Sequence, residues 1–127
     1  MPYLLPVFAS VLPFAAWVTE RILPYPHLIE ELAKASLVVA FVGNKTKAAY
    51  LAVVAGFCFA FTETVFYSFN IFPSGSLSTI LARLTLTSLL HVTTYLLLAV
   101  PYKQDKKLIL ISLPLAIFVH FMYNRLI

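Results

Sequence analysis

Seven side chains that could do chemistry fall within or beside long apolar stretches: Glu30, Glu31, Lys34, Glu63, His91, His120 and Asn124. An ionisable group in hydrocarbon costs several kcal/mol unless it is paired, protonated or wetted, so such groups usually serve function. Glu30 and Lys34, Phe59 and Glu63, and His120 and Asn124 are i,i+4 pairs, and each pair shares one helix face. Carboxylates, imidazoles and an amide in one wet pocket could deprotonate a water and stabilise an oxyanion, the two tasks of peptide hydrolysis. Glu30, beside Lys34, is the expected ionised base, and Glu63 the expected holder of a proton, with His91 helping to position or share it. His120 and Asn124 are the expected oxyanion donors. Glu31, rotated by about 100° from Glu30, pairs elsewhere or orients the site.

The elements that must carry these groups follow from composition. Of 127 residues, 61% are hydrophobic and 11% charged, against about a quarter charged in soluble domains. Mean hydropathy is +0.93. A chain this small cannot cover a soluble surface with so few polar groups, and it reads as one membrane-embedded domain over residues 1–127. A spanning helix needs roughly 17–25 apolar residues. Five candidates meet or approach that: Tyr3–Val18, interrupted by Pro6 and Pro13; Leu28–Val42, closed by Gly43-Asn44; Ala48–Phe69, stopping before Pro73-Ser74-Gly75; Ser78–Val100, ending at Pro101; and Leu108–Tyr123, started by Asp105 and kinked at Pro114. The expected fold class is all-α, a polytopic bundle of about five transmembrane helices. The N-terminus lacks the basic run of a secretory leader, so the first apolar stretch is expected to be retained.

Depth supplies a second constraint. At about 1.5 Å per residue in a core of about 30 Å, Glu30, His91 and His120 all lie roughly 12 Å below one face and Glu63 roughly 8 Å, with Arg83 reaching the outer headgroups. Alternate spans run in opposite directions, so sequence spacing does not force this agreement. Lys45, Lys47, Lys103, Lys106 and Lys107 mark one side, and Arg21, Arg83 and Arg125 the other. The positive-inside rule then gives a plasma-membrane protein with a cytoplasmic N-terminus and an external C-terminus.

Elimination narrows the chemistry. The scattered basic residues form no stripe for nucleic acid, which excludes that partner. Cys58 is the only cysteine and is expected to pack; Asp105 is the only aspartate, so one chain has no two-aspartate site. HExxH is absent, and Ser74 and Ser76 flank a loop glycine. His27 lies in the external loop with no assigned role, and Tyr67, Tyr95 and Tyr123 read as packing aromatics. Lys103 to Lys107 anchors anionic lipid. A glutamate-activated water remains. A metal-free site is preferred, with zinc as the alternative, for which His91, His120 and Glu63 would supply three ligands.

In chain order these residues resemble a family. Glu30-Glu31-Leu-Ala-Lys34 is similar to the EExxK motif of the PrsW-type intramembrane proteases, and Phe59-Ala-Phe-Thr-Glu63, in a helix with Gly56 and followed by Tyr67, to their FxxxE motif. His91 downstream of Arg83 resembles the third motif, and His120-Phe-Met-Tyr-Asn124 the fourth. The likeness runs from residue 29 to 124. It implies a glutamic-type intramembrane protease, in the superfamily of the type II CAAX prenyl endopeptidases, cleaving a membrane-anchored protein such as an anti-sigma factor. Those endopeptidases usually have histidine where this chain has Glu63. Thr64 stands where the family often has asparagine, and the chain is shorter than typical members. Both features motivate a second reading, a catalytically silent binding or immunity protein of the same fold. A third, an ion-coupled transporter, suffers from the lack of repeat symmetry. Oligomeric state is left open by the sequence.

Overall fold

A computed structural model describes residues 3–44, 47–71 and 76–127, and all but the side chains of 70 and 71 within them. Lys45 and the Pro73-Ser74-Gly75 stop lie outside the described residues. Five α-helices make up the fold: α1 Leu4–Glu20, α2 Pro26–Phe41, α3 Ala48–Ile71, α4 Leu77–Gln104 and α5 Ile109–Leu126. A short 3₁₀ turn, Lys106–Leu108, leads into α5, and Asp105 Oδ1 accepts the Lys107 N–H at 2.9 Å to cap it. Among the described residues there is no strand. This is an all-α membrane helix bundle.

The helices do not all span equally. Three stretches are long and apolar enough to cross a membrane, Ala48–Phe69, Leu77–Gln104 and Lys106–Leu126, while α1 is a shorter apolar helix. The second expected span, Leu28–Val42, also falls short. At 16 residues, α2 is about 24 Å long against a core of about 30 Å, and it holds Glu30, Glu31 and Lys34. It is a short polar-bearing helix whose charged groups turn inwards, so length and hydropathy alone do not make it a span.

Proline positions also differ from expectation. Pro101 does not end α4, which continues to Gln104, because the ladder resumes with Asp105 N–H donating to the Pro101 carbonyl at 3.0 Å. Pro13 likewise lies inside an unbroken α1, whereas Pro114 lies within α5, the span that was expected to hold it. Pro26 begins α2 at a position where the missing N–H costs nothing, which brings His27 into the helix rather than the loop. There the His27 ring lies 5.4 Å from that of Phe121.

Packing is by small residues. Ala9 of α1, Ala35 of α2, Ala52 and Ala55 of α3, Ala99 of α4 and Ala116 of α5 are all in the buried core. With lipid as apolar as the helix faces, close backbone approach is what holds such helices together. A close crossing joins α3 to α4 at Gly56: a Cβ there would lie 2.5 Å from the Val92 Cα. Large apolar side chains such as Leu89, Leu110, Ile111 and Phe118 point outwards, as a lipid-facing surface requires.

Candidate active site

Lys34 is the centre of the polar interior. It is fully buried, and its ammonium donates to Glu31 Oε1 at 2.6 Å, His91 Nδ1 at 2.7 Å and Thr94 Oγ1 at 3.1 Å. All three ammonium protons are thereby used. Beneath it the ring of Phe59 lies 4.7 Å from Nζ and 4.2 Å from the His91 ring centre, so the aromatic of the FxxxE segment is the apolar floor of the ion site. The sequence expectation placed Lys34 against Glu30. The bonded partner is Glu31, whose i,i+3 carboxylate is turned towards the same interior.

Hydrogen-bond complementarity fixes the histidine tautomers. Because Lys34 donates to His91 Nδ1, that nitrogen carries a lone pair, and Nε2–H donates to Glu63 Oε2 at 2.5 Å. Glu31 Oε1 also accepts from His120 Nδ1 at 2.8 Å, which leaves His120 Nε2 with a lone pair, 3.8 Å from Glu30 Oε2. The two rings meet edge to face at 5.7 Å. One connected chain therefore runs Glu63–His91–Lys34–Glu31–His120 through α3, α4, α2 and α5.

Beside this chain opens a cavity of about 300 Å³, lined by Glu30, Glu63, His120 and Asn124 and also by Glu20, Tyr67, Arg83 and Tyr123. Glu31, Lys34 and His91 lie behind its wall rather than on it. Among buried polar atoms, Glu30 Oε2 and Arg83 Nε have no hydrogen-bond partner. The lining residues Glu20, Tyr67, Arg83 and Tyr123 were not expected there. Arg83 does not simply reach for headgroups: Nη2 donates to Glu63 Oε1 at 3.4 Å and the guanidinium stacks 3.7 Å over Tyr67. Glu63 thus has two basic neighbours, where sequence gave it none within a helical turn. Tyr67 forms wall and platform together, and Glu20 comes from the end of α1. The visible signal for Arg83 and Tyr67 was their nearness in sequence to motif residues; Glu20, beside Arg21 at a span end, looked like an ordinary solvated terminus.

His91 is not open to the zinc set expected with His120 and Glu63. His91 Nδ1 faces an ammonium and Nε2 a carboxylate, so neither nitrogen is open. Among the described residues no three His, Cys, Asp or Glu side chains converge to hold an ion. Lys34 stands where a cation among Glu31 and His91 would stand. What the arrangement can do is hold a water between Glu30 Oε2 and His120 Nε2 and offer donors from Arg83 and Asn124 nearby.

No curated protein and no solved structure matches the chain. One family model does, over residues 25–127, the stretch from the start of α2 through all four motif helices. Its description is PrsW family intramembrane metalloprotease. The chain belongs to the PrsW family of intramembrane proteases.

Proposed function

We propose that the protein hydrolyses a peptide bond of a membrane-anchored protein, using a water activated by Glu30. The observation that carries this reading is the unpartnered Glu30 Oε2 at the wall of the cavity of about 300 Å³, 3.8 Å from His120 Nε2. Glu30 takes one water proton, while the other stays on the oxygen and donates a hydrogen bond to His120 Nε2. The hydroxide oxygen bonds to the scissile carbonyl carbon, and the carbonyl electron pair moves onto oxygen. That oxyanion receives hydrogen bonds from Arg83 and Asn124. Collapse breaks the C–N bond, and the proton held by Glu30 passes to the leaving nitrogen. With its Nδ1–H given to Glu31, His120 is a lone-pair acceptor here and not the oxyanion donor that its spacing from Asn124 suggests. Glu63, His91, Lys34 and Glu31 hold the reacting groups in place.

The mechanism is glutamic in type. The family's description names a metal, but both His91 nitrogens and His120 Nδ1 are occupied by Lys34, Glu63 and Glu31, so no step is routed through one. Cleavage is therefore expected to continue in excess chelator; loss on chelation with rescue by zinc would reverse the assignment. The substrate class is a single-span protein of the anti-sigma-factor kind, cut near the outer leaflet of the plasma membrane. The deciding experiment is cleavage of a model single-span substrate by reconstituted protein. Glu30→Gln is expected to abolish product while the protein remains folded and inserted. If Glu30→Gln cleaves normally and Glu63→Gln does not, the base is Glu63. A wild-type protein that never cleaves, with Glu30→Gln still binding the substrate, would favour the silent binding reading.

A further inference from the structure

Arg83 shares the wall of the cavity with three carboxylates, Glu20, Glu30 and Glu63. A guanidinium so placed is expected to settle on one of them with two parallel N–H···O bonds of about 2.7–2.9 Å. Arg83 does not. Among the described residues its carboxylate contact is a single one, Nη2 to Glu63 Oε1 at 3.4 Å. Glu20 Oε1 and Glu30 Oε2 have no hydrogen-bond partner, and neither has Arg83 Nε. Unpaired acceptors and an unpaired donor thus stay apart around one cavity.

A bond as long as that to Glu63 is a weak restraint, and the contact that remains is aromatic. The guanidinium lies 3.7 Å over the ring of Tyr67. A planar cation on an aromatic face loses that face if it tilts, so stacking sets the tilt of the plane. The Nη2 bond then sets rotation within the plane. Glu63 and Tyr67 are four residues apart on α3, so one helix face applies both restraints to a side chain of α4. With tilt and rotation set, the direction of Nε–H is set too. The Tyr67 ring is 45% exposed, which makes it a poor core filler, yet it lines this cavity and the smaller adjoining one of about 40 Å³.

We propose that Tyr67 is a positioning residue for Arg83: its ring holds the guanidinium off the Glu20 and Glu30 carboxylates and keeps Nε–H free for the oxyanion. The assignment rests on Arg83 being an oxyanion donor. Were Arg83 to pair with Glu30, it would occupy the lone pair that takes the water proton. The site would then lose its base and its oxyanion donor together.

The test uses the full chain in lipid nanodiscs and two readouts. In the cleavage assay, Tyr67→Leu is expected to lower kcat by about 100-fold with KM unchanged, the scale of loss when a reacting group is misplaced. Tyr67→Phe keeps the aromatic face and is expected to retain most of the wild-type kcat. Arg83→Lys keeps the charge beside Glu63 but has neither the plane nor the Nε–H, and is expected to lose as much as Tyr67→Leu. The double variant should lose no more than either single one, because each change removes the same held donor. In proton–nitrogen NMR spectra, the Arg83 Nε–H signal, identified by its absence from Arg83→Lys, is expected to carry a ring-current displacement that Tyr67→Leu removes and Tyr67→Phe keeps. Wild-type kcat in Tyr67→Leu or Arg83→Lys, or equal losses in the Leu and Phe variants, overturns the positioning role. A signal indifferent to Tyr67→Leu overturns the stack. If Tyr67→Leu does not fold, Tyr67→Gln takes its place in both readouts. Should the protease reading itself fail, the wild-type protein cleaves nothing, and the NMR signal alone decides whether Tyr67 holds Arg83.

Discussion

The ammonium of Lys34 balances a carboxylate and fixes the His91 tautomer from a position with no exposure. Buried ion pairs add little net stability, but removing one partner leaves an uncompensated charge in the interior. Lys34→Met is therefore expected to destabilise the folded protein by about 3–5 kcal/mol, read as a lower unfolding midpoint in detergent. Because Glu31 is the orphan that this change creates, the double variant Lys34→Met/Glu31→Gln should recover much of the loss. Additive losses in the double variant would show that the pair is not coupled. Thr64 also has a place at this scale. Its hydroxyl meets Thr87 Oγ1 at 3.3 Å between α3 and α4, and Thr87 in turn lines the cavity. The residue that departs from the family pattern is thus part of the helix interface beside the site.

At the scale of elements, the crossing of α3 and α4 sets the distance between Glu63 and His91. Gly56 permits it, since any Cβ would meet the backbone of Val92, the neighbour of His91. Backbone atoms cannot swing aside as a flexible side chain can. Gly56→Ala is expected to cost about 1–3 kcal/mol by overpacking and to part the Glu63–His91 bond, so cleavage should fall further than stability does. Activity and unfolding midpoint measured on the same preparation would check this; unchanged cleavage would mean that the crossing does not govern the site. Asp105 offers the contrast. Its cap on the turn before α5 lies at the opposite end of α4 from Arg83. Asp105→Ala should cost about 0.5–1 kcal/mol and leave the cleavage rate per folded molecule unchanged.

At the scale of the whole molecule, α5 separates two ends of different chemistry. Lys103, Lys106 and Lys107 precede it, and Arg125 and the cavity-lining Asn124 lie at its far end. The basic end is proposed to be cytoplasmic. Cys58 is the only thiol, so a cysteine-free background is one substitution away. Cysteines introduced at Lys106 and at Arg125 should react with a membrane-impermeant maleimide from opposite sides of the plasma membrane, Arg125 from outside. Labelling of Lys106→Cys from outside would invert the topology and move the cavity to the cytoplasmic leaflet.

The sequence by itself determined the class and the ingredients. Apolar runs of spanning length, broken by a few charges, can only be an all-helical membrane bundle, because backbone groups in lipid must be satisfied within each segment. Counting rise per residue also placed Glu30, Glu63, His91 and His120 at similar depths, since a helix converts sequence separation directly into height. Rotation between helices is not encoded that way. Lys34 is one turn from Glu30 and less than a turn from Glu31, and only the approach of α4 and α5 turned it to Glu31, where His91 and Thr94 complete its three bonds. The same approach occupied both nitrogens of His91, one of the expected zinc ligands. Glu20 and Arg83 became cavity residues for a similar reason. Each sits near a helix end where sequence predicts solvent or headgroup. Packing of α1 against α3, and of α3 against α4, brought their side chains round to the carboxylates instead. Depth is a local property of a helix, whereas facing is a property of its neighbours, and the chemistry of this site depends on facing.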